Sequence, residues 1–241
     1  MDRYKRRVRM IKADPGRQQY MLMKKERELI VEYGKKMSSA GLCPGTSGNV
    51  SIYDPETGLM VISPSGIDYF STLPADVVVM DLNAHVVDGD RKPSSEWALH
   101  TEFYRHKPYA HAVVHTHSVY CTTFAVLGLP LKAVHYAIAD AGAAEIPCAP
   151  YETFGTIELA RAAVKACGES DAVLLGNHGI ITCGRSIESA FSLARNCEFV
   201  AQLQYQAMCI GTPNIISDAK MAEAMEKFRS YGQPDSGKKG Y

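Results

Sequence analysis

The segment His111-Ala-Val-Val-His115-Thr-His117 carries two histidines at a spacing of two, at the end of an apolar, β-branched run. Such a run predicts a buried strand, and strand side chains alternate between faces. His115 and His117 therefore point the same way, about 6–7 Å apart along the strand. Two imidazoles on one face can converge on a single ion. A third histidine stands in Gly176-Asn177-His178-Gly179, after the apolar run Ala172 to Leu175. Three histidines with an open fourth position is how a protein holds a catalytic zinc. His111 shares a strand face with His115 but lies about 13 Å further along, too far for the same ion. His85, His100 and His106 have no partner at ligand spacing and read as structural or surface residues.

Two other H-x-H architectures fail on spacing. A cupin wants a glutamate three or four residues after the second histidine, where this chain has Tyr120 and Cys121. A carbonic-anhydrase-type site wants its third histidine about two dozen residues on. Here His178 follows His117 by 61 residues.

Three turns rich in glycine and serine have the chemistry of a phosphate site. Gly45-Thr46-Ser47-Gly48-Asn49 and Ser65-Gly66 expose backbone N–H groups and short polar side chains. Ser94-Ser95 follows Pro93 and opens a predicted helix, whose N-terminus offers free N–H donors and the positive end of a dipole. None matches a nucleotide-binding loop: the G-x-G-x-x-G spacing and the G-K-[ST] ending are both missing. Each turn alone also fits a hairpin turn or a helix cap. Glu96 comes next, in the first turn of that predicted helix. It is either a capping charge favoured by the dipole or a general base beside a metal and a phosphate.

The elements that must position these groups follow from periodicity. Helices are predicted over 21–40, 95–106, 118–127, 156–167, 187–208 and 218–228. Strands are predicted over 50–53, 59–62, 77–82, 85–87, 111–117, 172–175 and 180–183, with strand and loop over 133–149. Several strands are hairpin neighbours in sequence. The pattern predicts an antiparallel-rich sheet covered by helices, an α/β fold that is not a doubly wound parallel sheet.

The bulk composition is that of an ordinary soluble domain: 46% hydrophobic, 22% charged, net charge zero. No global field attracts nucleic acid or a membrane surface, and no apolar run is long enough to span a bilayer. Residues 1–20 carry seven basic residues against two acidic ones. With no apolar core of a secretory signal, residues 1–21 read as a basic, disordered arm. Residues 22–232 read as a single domain and 233–241 as a polar tail. Seven cysteines, an odd number with no C-x-x-C pair, argue for reduced thiols in a cytoplasm.

Six motifs in order, Gly45-Thr-Ser-Gly-Asn49, Ile62-Ser-Pro-Ser-Gly66, Pro93-Ser-Ser-Glu96, His115-Thr-His117, Ile146-Pro-Cys-Ala-Pro150 and Asn177-His-Gly179, resemble the class II aldolase/epimerase superfamily. Within it the resemblance is greatest to the bacterial L-fuculose-1-phosphate aldolases, over roughly residues 22–232. It implies a three-layer α/β/α fold around a mainly antiparallel sheet, as in the adducin head, and a homotetramer with active sites between subunits. It implies one zinc per subunit on His115, His117 and His178, with Glu96 as fourth ligand at rest and acid/base in turnover. Thr46, Gly48, Asn49, Ser65, Gly66, Ser94 and Ser95 correspond to the phosphate site. Tyr136 matches a tyrosine that a neighbouring subunit points at the developing alkoxide. Phe154 and Tyr231 match aromatics around the aldehyde end. The implied activity is reversible retro-aldol cleavage of a ketose 1-phosphate to dihydroxyacetone phosphate and a short aldehyde, lactaldehyde for fuculose 1-phosphate. The motifs are shared with aldolases of 5-deoxyribulose and methylthioribulose 1-phosphates and with a methylthioribulose-1-phosphate dehydratase. The epimerase branch has aspartate where this chain has Glu96, and the adducin head lacks the metal site.

Overall fold

The computed structural model describes residues 21–229. Residues 1–20 of the basic arm, the tail and Tyr231 lie outside the described residues. Helix α1 (Lys24–Ser39) buries Ile30, Tyr33 and Met37 at helical spacing. It ends before Gly41, which takes a positive φ of 69°. The hairpin of β1 (Asn49–Asp54) and β2 (Leu59–Ile62) turns on Asp54. Its carboxylate accepts from the Glu56 N–H at 2.9 Å and the Thr57 hydroxyl at 2.8 Å, a side-chain mimic of a backbone turn. Strands β3 (Val78–Asp81) and β4 (Val86–Asp88) form the next hairpin.

Helix α2 (Trp97–His106) precedes β5 (Ala112–Thr116) and α3 (Val119–Leu127). The segment 133–149 holds a 3-10 helix, Tyr136–Ala141, and only a two-residue strand, β6 (Cys148–Ala149). Helix α4 (Ile157–Cys167), β7 (Ala172–Leu175), β8 (Gly179–Gly184), α5 (Ile187–Ile210) and α6 (Asp218–Arg229) complete the order.

The eight strands form one sheet in the order β4-β3-β2-β1-β5-β8-β7-β6. Each neighbouring pair is antiparallel except β6–β7. Alternation along the strands builds a core on each face. On one face Met60, Ile62, Val113, Val173 and Ile181 meet Leu99 and Phe103 of α2 and Leu159 and Ala163 of α4. On the other, Val50, Val61, Val79 and Val114 meet Ile30 and Met37 of α1 and Ala190 and Ala194 of α5. Leu174 and Ile180 meet Phe124 of α3, Leu193 and Val200 of α5 and Met221 of α6 on that same side. The result is the expected three-layer α/β/α fold. Phe103 is fully buried, so truncating it to alanine would cost about 3–5 kcal/mol.

Several element ends shift by one to three residues from the sequence reading, and one of these shifts bears on the site. Helix α2 begins at Trp97, not Ser95. The Ser94 N–H bonds the Ser63 carbonyl, and Pro93 bridges to Pro64. These contacts hold the serines to the chain leaving β2, so the helix starts after them. Glu96 is therefore the residue preceding the helix, and its side chain makes no capping hydrogen bond.

Candidate active site

The start of β1, the end of β5 and the β7–β8 turn meet at one end of the central strands of the sheet. His115 is the fourth residue of β5, in register with Asn49 of β1 on one side and Ile181 of β8 on the other. His117 follows the strand and His178 lies in the β7–β8 turn. The three rings stand with centroids 4.8–4.9 Å apart, closer than the strand spacing alone suggested. Two close approaches require glycine here. A Cβ on Gly179 would come within 2.3 Å of the Thr116 carbonyl and 3.1 Å of the His117 ring. Gly48 has φ +74°, and a Cβ there would lie 2.4 Å from the Cys43 sulfur and 2.8 Å from the His115 carbonyl.

The donor set fits a zinc ion. One nitrogen from each ring lies within 4.8 Å of the others. The Nε2 atoms of His115 and His117 are 3.0 Å apart, near the roughly 3.3 Å expected for two nitrogens on one tetrahedral zinc. Burial pushes the His178 imidazolium down to about 4, with the neighbouring His117 adding to it. Burial also lowers His117 and, with the crowding of the other two rings, His115 well below its ordinary value. The rings are neutral at pH 7, with lone pairs available to a metal.

These histidines share a cavity of about 390 Å³ with Thr46, Ser47, Gly48, Asn49, Ser65, Gly66, Ser94, Ser95 and Glu96. All three glycine- and serine-rich turns of the sequence thus arrive at one place. Among the described residues no lysine or arginine lines this cavity, so an anion there meets hydroxyls, amides and the N-terminal end of α2. Tyr69 steadies the first turn: its hydroxyl lies 3.0 Å from the Ser47 carbonyl and 2.8 Å from that of Gly48. Its ring rests against Gly34 of α1, where a Cβ would come within 2.6 Å.

Glu96 is 5% exposed, and its Oε2 is buried with no hydrogen-bond partner. Burial raises its carboxyl to about 7, opposed by a hydrogen bond from the Gly155 backbone. A buried, unpartnered carboxylate oxygen beside three neutral imidazoles is a free ligand or a free base. The capping alternative falls, since the side chain caps nothing.

Phe154 also lines this cavity while remaining 66% exposed. Tyr136 does not reach it. It is 58% exposed and lines a different cavity of about 530 Å³ with Asn196 and Lys220. Tyr151, Glu152 and Asn177 line the histidine cavity as well, and the sequence reading gave none of them a role. Asn177 carried a usable signal. It holds a positive φ of 53°, which asparagine tolerates better than most residues, in the turn that brings His178 to His115 and His117. His111 stays out of the cluster, as its spacing required. His85 is exposed and pairs with Asp81.

The family model described as Class II Aldolase and Adducin N-terminal domain matches residues 28–205. The chain belongs to this family. A 5-deoxy-D-ribulose 1-phosphate aldolase of Bacillus thuringiensis serovar kurstaki is 50% identical over 213 residues, 88% of this chain and 100% of that one. An L-fuculose phosphate aldolase of Escherichia coli strain K12 is 41% identical over 204 residues, 84% of this chain and 94% of that one. A solved L-fuculose 1-phosphate aldolase superposes with a TM-score of 0.84 at 41% identity, covering 87% of this chain and 98% of that one. The protein is a class II aldolase, and hence a lyase. Among the described residues of this aldolase, no helix is long and apolar enough to cross a membrane, and all seven cysteines are free.

Proposed function

We propose that this aldolase cleaves a ketose 1-phosphate reversibly to dihydroxyacetone phosphate and a short aldehyde. The observation that carries the reading is the convergence, in one cavity, of three neutral histidines and the unpartnered carboxylate oxygen of Glu96. His115, His117 and His178 would hold one zinc per subunit, with Glu96 as the fourth ligand at rest. Bound there, zinc would supply Lewis-acid stabilisation of the charge left on the dihydroxyacetone side of the broken bond.

The rest is done by the chain. Thr46, Gly48, Asn49, Ser65, Gly66, Ser94 and Ser95 bind the phosphate through hydroxyls and N–H groups. They fix the sugar so that its C3–C4 bond lies beside the histidines. On cleavage the C4 hydroxyl loses its proton and becomes the aldehyde, while the electron pair stays on C3. Glu96 then gives a proton to C3, and in the reverse direction removes it. A carboxyl whose proton affinity sits near neutrality serves both directions. In the condensation direction the Tyr136 hydroxyl of a second copy gives its proton to the C4 oxygen, and in cleavage its phenolate takes that proton back, which accounts for the place of Tyr136 outside its own chain's cavity. The assembly is then a homotetramer with its sites between subunits. Phe154, with Tyr231 beyond the described residues, walls the aldehyde end. Reduced cysteines suit a cytoplasmic enzyme.

Two substrates stand out. The 50% identity to a 5-deoxyribulose 1-phosphate aldolase over that protein's full length favours a 5-deoxyribulose 1-phosphate, which yields acetaldehyde. The structural likeness to L-fuculose 1-phosphate aldolase supports fuculose 1-phosphate, lactaldehyde and a place in fucose degradation. A coupled assay for dihydroxyacetone phosphate across these two sugars and methylthioribulose 1-phosphate ranks them by kcat/KM. Loss of water with no dihydroxyacetone phosphate from any of them would turn the reading to a dehydratase.

A further inference from the structure

His100 lies on α2 one turn beyond Glu96, and the chemistry above makes no use of it. It is fully buried. Its Nε2 is 2.5 Å from Oδ1 of Asn49, and its Nδ1 is 2.6 Å from the Ser51 hydroxyl. That hydroxyl is in turn 2.6 Å from the Tyr104 hydroxyl. The directions of these bonds follow from the inventory of donors. Oδ1 has no proton to give, so Nε2–H donates to it. Burial holds the ring neutral by pushing its pKa down to about 3, so Nδ1 is an acceptor. Ser51 must then donate to Nδ1, and Tyr104 donates to Ser51.

The consequence falls on Asn49. Its amide oxygen is tied into the interior, so Nδ2 is the branch left for the cavity that Asn49 lines. A flipped amide would need the other His100 tautomer and a reversal of both hydroxyls, and it would turn a carbonyl oxygen toward the anion. We infer that His100 is a positioning residue that fixes the Asn49 amide with its N–H toward the substrate phosphate. This rests on the placement of the phosphate at Asn49 proposed above.

The test is steady-state kinetics of the zinc-loaded enzyme, with inorganic phosphate as a competitive inhibitor. Asn49→Ala comes first, because it reports on the phosphate placement alone. If KM and the inhibition constant of phosphate do not move, Asn49 is not at the phosphate, and that placement and this inference both fail. If they rise, the His100 variants decide the inference by itself. His100→Leu should raise both constants about tenfold and leave kcat within about twofold. His100→Gln, whose side-chain N–H can replace Nε2–H, should recover most of the loss. In the Asn49→Ala background His100→Leu should add nothing, because its target is gone. Additive losses in the double variant, or a loss confined to kcat, would overturn the inference. Should His100→Leu fail to fold, Ser51→Ala removes the donor to Nδ1 and should raise KM about threefold. An unchanged KM there would also overturn it.

Discussion

The Nδ1–H of His115 donates to the Ile180 carbonyl at 2.9 Å, across the β5–β8 ladder. This bond fixes the tautomer and leaves the Nε2 lone pair toward His117 and His178. His115→Ala removes a ligand that the sheet has already oriented. The expected outcome is loss of bound zinc by elemental analysis and loss of aldol cleavage together. A His115→Ala protein that keeps one zinc per chain and full turnover would exclude the three-histidine centre.

Burial of the histidines, with their mutual crowding second, sets a pH dependence for the metal-free protein. A histidine whose folded pKa is depressed takes up its proton more readily when unfolded. Its contribution is favourable above the ordinary value of 6.5 and is lost as pH falls toward the folded value. For His178 that window runs from 6.5 down to about 4. Glu96, raised to about 7, acts in the opposite sense but is common to parent and variant. The melting temperature of metal-free parent relative to His178→Ala should therefore decline on acidification through this window. A difference that stays flat from pH 7 to 4 would contradict it.

Ser95 is exposed to the cavity, whereas Ser94 is buried and accepts the Glu96 N–H at 3.2 Å. The two serines should therefore separate. Ser95→Ala is expected to raise KM for the phosphorylated sugar about tenfold, the loss of one charge-assisted hydrogen bond. Its thermal stability should match the parent. An unchanged KM in Ser95→Ala would move the phosphate elsewhere.

Gly48 combines a positive φ with two contacts that a Cβ would violate. Gly48→Ala should destabilise the fold on the order of 2–4 kcal/mol, since both the turn and the neighbouring sulfur and carbonyl must shift. Urea denaturation gives the number. A midpoint equal to the parent's would show that the loop relaxes freely.

What could be read from the sequence was mostly what depends on short range or on period. The H-x-H pair, the turn chemistry at Gly45–Asn49 and the strand alternation required no knowledge of distant neighbours. The hairpins foretold an antiparallel sheet, and the order of six motifs pointed to the family. The misses share a cause. His100 looked idle because its partners, Asn49 and Ser51, lie about fifty positions away on a strand that only folding brings alongside α2. The start of α2 was placed two residues early because the Ser94–Ser63 bond and the Pro93–Pro64 bridge are also long-range. Tyr151 and Glu152 sit in a loop after β6 with no periodic signal, and only the sheet order brings that loop to the histidines.

The most direct test of the account is exchange of the C3 proton of dihydroxyacetone phosphate with D₂O, compared between the zinc-loaded parent and Glu96→Gln. The reaction isolates the proton transfer assigned to Glu96 and needs no aldehyde. Glutamine keeps the size of the side chain and removes its basicity, so the variant should retain zinc on the three histidines. Its exchange should fall about 10²- to 10⁴-fold, the usual range for a positioned acid/base. Exchange as fast as the parent's, with zinc retained, would show that Glu96 is not the base and would contradict the account at its centre.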